Sequence, residues 1–219
     1  MHKTVQNLIN IENQLKSNLG DVYKSKLPKI IAVSKTFKLD KISPLVDHGH
    51  LDFGENKVQE AIDKWTDIKA KKPNIQLHMI GKLQTNKVKF AVKLFDYIHS
   101  VDSEKLAKKI ADEQLKVKRM IKIFIQVNIG DEKQKSGVNI SETNNLIIYC
   151  NKLNLNVVGL MCIPPADIDP SSYFEEMNKI NKIYNFKELS MGMSSDYIKA
   201  AQHNSTYLRI GSNIFGQRY

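Results

Sequence analysis

The chain carries the stretch Ile30-Ile31-Ala32-Val33-Ser34-Lys35-Thr36 near its start, where apolar residues run directly into a lysine. An apolar run that follows Pro28 and ends in polar residues indicates a buried strand. Lys35 then lies where this strand ends. Because lysine is mostly exposed in proteins, residue type alone favours a solvated strand end over an amine held at the rim of a pocket.

Length and composition predict a soluble globular protein. The chain has 219 residues, of which 42% are apolar and 26% are charged, and α/β barrels of this size form one domain. No apolar run reaches the roughly 18 residues that predict a membrane span. The N-terminal residues 1–9 lack the hydrophobic segment of a signal peptide. We therefore expect a cytoplasmic protein that does not contact membranes.

The formal charge of +10 suggests nucleic-acid binding, but the distribution of the basic residues along the chain disfavours this role. The basic residues are scattered lysines, and the arginines are Arg119, Arg209 and Arg218 alone. Cys150 and Cys162 lie in no CxxC motif or His/Cys cluster, so neither a zinc site nor a redox motif is predicted. Cys162 lies in an apolar run and is expected to be a small core residue.

Strand-like and helix-like segments alternate along the chain after a helix predicted over residues 2–19. The strand-like segments are Lys29–Lys35, Leu51–Gly54, Gln76–Ile80, Tyr97–Val101, Ile121–Ile129, Val157–Ile163, Glu188–Met193 and Tyr207–Ile210. The helix-like segments between them cover residues 40–49, 57–70, 85–95, 103–116, 141–153, 171–186 and 195–204.

This alternation predicts an α/β protein with a parallel sheet, and eight strands close a (β/α)8 TIM barrel. We predict one domain over residues 1–219, with the additional N-terminal helix either filling the ring position after the eighth strand or capping the bottom. The alternative is an open doubly wound sheet. A dinucleotide-binding sheet would need a glycine-rich loop after its first strand, where this chain has Ser-Lys-Thr.

Glycine, hydroxyl and amide residues recur directly after the predicted strands. The carboxyl ends of the strands are where the functional residues of such barrels lie. The loops after strands seven and eight read Gly192-Met193-Ser194-Ser195-Asp196 and Gly211-Ser212-Asn213. Hydroxyls and backbone N–H groups, together with helix starts expected at about Ser195 and Ser212, predict a phosphate site. The alternative is that both are ordinary turns.

Arg209 interrupts the otherwise apolar eighth strand. If it points into the barrel, its guanidinium needs acceptors, which a ligand could supply. The alternatives are that it points outward or pairs with Glu55. With Lys35 and the phosphate loops, an inward Arg209 describes a pocket for a phosphorylated aldehyde, because lysine forms Schiff bases with carbonyl compounds. Pyridoxal 5'-phosphate (PLP) is the commonest such partner, and Arg209 with partial burial would lower the pKa of Lys35.

Seven motifs, in order, resemble those of the pyridoxal phosphate homeostasis proteins (YggS/PROSC-like), whose fold is similar to the N-terminal barrel of alanine racemase. They are Ala-Val-Ser-Lys-Thr at 32–36, Phe-Gly-Glu-Asn at 53–56, His-Met-Ile-Gly-Lys-Leu-Gln-Thr-Asn-Lys at 78–87, Lys-Ser-Gly at 135–137, Gly-Leu-Met at 159–161, Leu-Ser-Met-Gly-Met-Ser at 189–194 and Arg-Ile-Gly-Ser-Asn-Ile-Phe-Gly at 209–216. The resemblance runs from about residue 29 to the C-terminus.

The resemblance implies a fold-type III PLP-binding barrel in which each site residue has a role. Lys35 would carry the cofactor as an aldimine and Asn56 would lie beside it. Ser194, Gly211 and Ser212 would hold the phosphate, and Arg209 would face the pyridine nitrogen. The chain departs from the family at Lys82, where proline is frequent, at Ser195, where aspartate is usual, and at Ser212, where threonine is usual.

A role in intracellular PLP homeostasis and supply is therefore expected, with no catalytic residue and PLP-dependent apo-enzymes as recipients. The alternative is a weak racemase-like enzyme. Alanine racemase continues into a second domain that supplies a tyrosine as second base, whereas this chain stops at Tyr219. A monomer is expected on the same ground, without metal or nucleic acid.

Overall fold

The computed structural model describes residues 1–20, 27–132 and 134–217, and its central feature is a closed barrel of eight parallel strands. Each strand pairs with its neighbours in sequence, and β8 closes the barrel on β1 with Lys29 opposite Tyr207. The strands are β1 Lys29–Val33, β2 Asp52–Glu55, β3 Gln76–Met79, β4 Tyr97–Val101, β5 Lys122–Val127, β6 Asn156–Cys162, β7 Glu188–Met193 and β8 Tyr207–Ile210. The predicted TIM barrel is confirmed, and the open sheet is wrong.

Helices cover the outside of the barrel, one or more after each strand. They are α1 Lys3–Leu19, α2 Leu39–Asp47, α3 Val58–Lys71, α4 Val88–Leu94, α5 Glu104–Val117, α6 Ile140–Lys152, α7 Ser171–Ile183, α8 Tyr197–Gln202 and α9 Ser212–Phe215, with a 3₁₀ turn over Thr85–Lys87. None of the helices within these described residues combines the length and apolar character that crossing a bilayer demands.

The N-terminal helix α1 takes the ring position after β8, where it packs against α2, α8 and α9. The helix begins after His2, whose Nδ1 accepts the Thr4 N–H at 3.3 Å. It ends at Leu19, and the following Gly20 has a φ of 64° that glycine readily adopts. Its buried stripe follows the helical repeat and consists of Thr4, Val5, Leu8, Ile11, Leu15 and Leu19.

Several segment boundaries near the carboxyl end of the barrel differ from the sequence prediction. Strand β1 ends at Val33 and not at the predicted Lys35, which lies in the turn that follows. Strand β5 ends at Val127, before the predicted Ile129, because the Asn128 N–H donates to Val138 O in the following loop. Helix α8 begins at Tyr197, two residues after the predicted Ser195. The Met193 N–H donates to Asp196 Oδ1 at 2.6 Å, and this turn keeps Ser194 and Ser195 outside the helix.

Aromatic side chains fill the amino-terminal half of the barrel interior. Tyr97, Phe124 and Tyr207 form one buried cluster with Ile31 and Met161, and the two tyrosine hydroxyls hydrogen-bond at 3.0 Å. This packing closes the barrel from below and leaves its open end at the carboxyl ends of the strands. Cys162 is buried in the core, as predicted.

Candidate functional site

A cavity of about 610 Å³ lies at the carboxyl ends of the strands. All six side chains or backbone positions predicted for the site line it, namely Lys35, Asn56, Ser194, Arg209, Gly211 and Ser212. Among the described lining residues the ionisable side chains are Lys35 and Arg209, both basic, and there is no carboxylate. The cavity therefore has the charge that suits an anionic ligand.

Lys35 lies in a turn directly after β1 and is half-buried. The residue before it is held on both sides of its backbone: the Ser34 N–H donates to Gly54 O at 3.0 Å, and Ser34 O accepts from Lys64 Nζ at 2.8 Å. The residue after it, Thr36, has a left-handed φ of 68°, and its N–H donates to Glu60 Oε1 at 2.5 Å. These contacts fix the turn that presents Lys35.

The contacts around Lys35 converge on one buried charge pair. Lys64 Nζ lies 2.6 Å from Glu55 Oε1 and 2.9 Å from Glu60 Oε1. Glu55 is fully buried, and the same Oε1 also accepts from Ser34 Oγ at 2.7 Å and Trp65 Nε1 at 3.0 Å. Glu55 therefore supports the Lys35 turn from β2, and its suggested pairing with Arg209 is wrong.

Asn56 follows β2 and is half-buried at the cavity wall. The loop after β3 approaches it closely, because a Cβ on Gly81 would lie 2.5 Å from Asn56 O. Glycine is required at position 81 for this approach. The neighbouring Lys82 is exposed and does not line the cavity, so the family departure at this position leaves the described lining unchanged.

The loops after β7 and β8 are hydrogen-bonded to each other at the other side of the cavity. The Gly211 N–H donates to Ser194 Oγ at 3.3 Å, and Asn213 Nδ2 donates to Ser194 O at 2.8 Å. In α9 the first intrahelical donors are Ile214 and Phe215, both to Gly211 O. The N–H groups of Ser212 and Asn213 precede them and are not used by the helix. Hydroxyls and N–H groups that helix α9 does not use thus gather where the sequence predicts a phosphate.

Arg209 is buried, with 5% of its surface exposed, and it points into the barrel. Its Nη1 donates to Ser190 Oγ at 2.6 Å and its Nη2 to Cys162 O at 2.8 Å. Burial lowers the pKa of Arg209 from its ordinary value. Among the described residues no carboxylate forms an ion pair with this guanidinium, so its positive charge is left for a ligand. The outward orientation is wrong.

Sequence reasoning missed the polar residues that support the site from behind. Lys64 and Glu60 on α3 hold the Lys35 turn, and Ser190 on β7 accepts from Arg209. His99 on β4 contacts Ser190 in turn, with Nδ1 2.9 Å from Oγ. The available signal was a polar residue inside an apolar strand, which both Ser190 and His99 show.

Comparisons with known proteins match most of the chain. A family model described as "Alanine racemase, N-terminal domain" matches residues 11–219. A protein of Pasteurella multocida named "Pyridoxal phosphate homeostasis protein" is 34% identical over 228 aligned positions, which cover 97% of each chain. The solved structure of PipY from Synechococcus elongatus with PLP bound is 29% identical, with a TM-score of 0.83, and covers 97% of this chain and 100% of PipY.

Alanine racemase is a more distant neighbour. The enzyme of Clostridium difficile superposes with a TM-score of 0.74 at 15% identity, covering 99% of this chain and 57% of the racemase. This likeness shows the barrel fold alone. The extent and identity of the matches, together with the lysine, arginine and serine residues that line one cavity, show that the chain belongs to the pyridoxal phosphate homeostasis protein family.

Proposed function

We propose that this protein binds PLP covalently through Lys35 and serves intracellular PLP homeostasis and supply. One observation carries the proposal: a single cavity brings together the Lys35 amine, the Arg209 guanidinium and the Ser194 and Ser212 hydroxyls, with no carboxylate in its described lining. The names of the relatives and the PLP bound to PipY support it.

The cavity fits the chemistry of this cofactor. Its volume of about 610 Å³ falls within the roughly 300–1,000 Å³ of small-molecule sites. PLP would bring an aldehyde, which can condense with an amine with loss of water, and a phosphate, which needs donors. Lys35 offers the amine, and the loops after β7 and β8 offer the donors. Val33, Ile80 and Ile163 supply apolar wall between these two groups.

Each predicted residue has a role in this proposal. Ser194, Gly211 and Ser212 would hold the phosphate, and Asn56 would lie beside the ring. Arg209 faces the ring nitrogen. Because a guanidinium carries only donors and a positive charge, it disfavours protonation of that nitrogen. A ring kept unprotonated withdraws electrons weakly, which suits a protein that holds its cofactor.

We infer a carrier without enzymatic activity of its own. Two-sided proton exchange at a substrate carbon needs two bases. In the described lining, Lys35 carries the one group that can act as a general base, since no carboxylate, imidazole, phenol or thiol joins it. The relatives are named for homeostasis. A weak racemase-like activity is the alternative.

The remaining expectations extend the same proposal. PLP-dependent apo-enzymes receive the cofactor, because a free aldehyde reacts with amines throughout the cell and benefits from a protein that sequesters it. The protein works in the cytoplasm as a monomer, with residues 1–219 forming one PLP-binding domain. Partners other than these enzymes and PLP are not expected.

Borohydride reduction followed by peptide mass mapping tests the attachment. We expect the reduced cofactor mass on Lys35, its loss in Lys35→Ala, and its retention in Lys82→Ala, a control lysine that is exposed and outside the cavity lining. Cofactor mass on another lysine in the wild-type protein would show that the site is wrong. Amino-acid turnover faster than with free PLP would favour the racemase-like alternative.

A further inference from the structure

A line of hydrogen bonds crosses the barrel interior from the amino-terminal end of β2 to the cavity. Asp52 Oδ1 lies 3.0 Å from His78 Nε2, and His78 Nδ1 lies 3.0 Å from His99 Nε2. His99 Nδ1 lies 2.9 Å from Ser190 Oγ, which accepts from Arg209 Nη1 at 2.6 Å. We call these five residues the interior line. It joins five strands, namely β2, β3, β4, β7 and β8, and ends on a cavity residue.

The two ends of the interior line decide where each proton lies. Arg209 has only donors and the Asp52 carboxylate has only acceptors. Since Ser190 Oγ accepts from Arg209, its own proton goes to His99 Nδ1. His99 therefore carries its proton on Nε2 and donates to His78, which carries its proton on Nε2 and donates to Asp52. With neutral imidazoles, this is the arrangement that satisfies every contact.

Burial and ring packing hold the interior line in this state. His78, His99 and Ser190 have no exposed surface. Burial lowers the pKa of His78, and it lowers that of His99 well below the ordinary range, with further lowering from His78 and Arg209. His78 stacks on Tyr97 with ring centres 4.4 Å apart, and His99 stacks on Phe124 at 4.3 Å. Neither ring can turn without losing these contacts.

We propose that the interior line positions Arg209 in the cavity, with Ser190 and His99 as the positioning residues closest to it. Because the Ser190 proton is committed to His99, the hydroxyl presents only a lone pair to Arg209. If His99 could not accept, the hydroxyl proton could turn toward the guanidinium and oppose the contact. The Arg209 charge would then be less firmly held where the ligand meets it.

The first test concerns the protein without cofactor. Long-range ¹H–¹⁵N correlation spectra of the histidine rings should show His78 and His99 neutral and protonated on Nε2 at neutral pH. Protonation of His99 on Nδ1, or on both nitrogens, would overturn the inference. This readout does not depend on PLP.

The second test rests on the proposed function and uses PLP as the ligand. Ser190→Ala and His99→Phe should each weaken PLP binding about tenfold, the lower end for one hydrogen bond to a charged group. They should also shift the visible absorbance band of the bound cofactor, while its mass stays on Lys35. His99→Gln keeps one acceptor and one donor, so its affinity for PLP and the absorbance band of the bound cofactor should be close to those of the wild-type protein.

The matched control is Ser100→Ala, which removes a buried hydroxyl from the same strand as His99, where Ser100 Oγ has no described partner. Wild-type affinity and absorbance in folded Ser190→Ala, equal to those of Ser100→Ala, would refute the positioning role. Failure of the wild-type protein to bind PLP would instead contradict the proposed function, and the ring spectra would still decide the state of the interior line. Ser190→Ala is small enough to serve if His99→Phe does not fold.

Discussion

Replacing Lys64 with methionine should destabilise the whole barrel, although Lys64 lies outside the cavity. Its Nζ contacts Glu55 Oε1 at 2.6 Å, Glu60 Oε1 at 2.9 Å and Ser34 O at 2.8 Å. Methionine keeps most of the aliphatic stem and removes the charge. The substitution therefore leaves the Glu55 carboxylate inside the protein without its cation.

The magnitude follows from the burial of Glu55. Its side chain has no exposed surface, and that of Lys64 is 11% exposed. Breaking a buried pair by removing one partner costs about 3–5 kcal/mol, a large share of the roughly 5–15 kcal/mol that stabilises a typical protein. The double variant Lys64→Met/Glu55→Gln should recover most of this loss, because a neutral amide still accepts from Ser34 and Trp65 and leaves no buried charge.

Equilibrium unfolding in urea measures these free energies. The control is Lys179→Met, which removes a lysine from the exposed pair with Glu175, where the side chains are 69% and 55% exposed. Exposed pairs contribute about 0–1 kcal/mol. A Lys64→Met variant as stable as this control, or a double variant no more stable than Lys64→Met, would refute the role assigned to Glu55.

Three further outcomes are expected. Ser194→Ala and Ser212→Ala should each weaken PLP binding by about 10- to 100-fold, from the roughly 1.5–3 kcal/mol of a hydrogen bond to a charged group, and equilibrium dialysis showing unchanged affinity would contradict the phosphate assignment. Burial, followed by nearby His78 and Arg209, lowers the pKa of His99, so the unfolded chain takes up this proton first as the pH falls below about 6.5. The free energy of unfolding should therefore decrease toward acid by up to about 1.4 kcal/mol per pH unit on account of this histidine. Urea unfolding of His99→Phe should show a weaker dependence of this free energy on pH. Burial raises the pKa of Cys162 to about 12, so a thiol reagent near neutral pH should label it only after unfolding, and rapid labelling of native protein would contradict its burial.

The barrel could be predicted because the spacing of apolar residues indicates each strand and helix, and the order of these elements indicates the sheet topology. Apolar runs that alternate with helical spacing predict parallel βα units, and the strand count predicts closure. Closure then brings the ends of β1, β7 and β8 together, which is why residues as distant as Lys35 and Ser212 could be assigned to one cavity. Their roles toward PLP remain predictions.

The polar residues that hold the cavity residues in place could not be predicted in this way. Side chains of a barrel strand alternate between interior and helix-facing sides, but the sequence does not show which interior positions lie at the same height. His78 and His99 are each lone histidines in apolar strands, and only the stagger of the strands makes them neighbours. The same limit explains Glu55, a charge that looked available for Arg209 but lies on the α3 side of β2 beside Lys64.

The pairing of β8 with β1 also has a consequence for biosynthesis. Lys35 leaves the ribosome more than 170 residues before Arg209, Gly211 and Ser212. The Lys35 amine and the proposed phosphate donors become neighbours only when β8 docks against β1. If PLP binds through these groups as proposed, a nascent chain cannot hold it through all of them at once, and loading at the full site follows closure of the barrel.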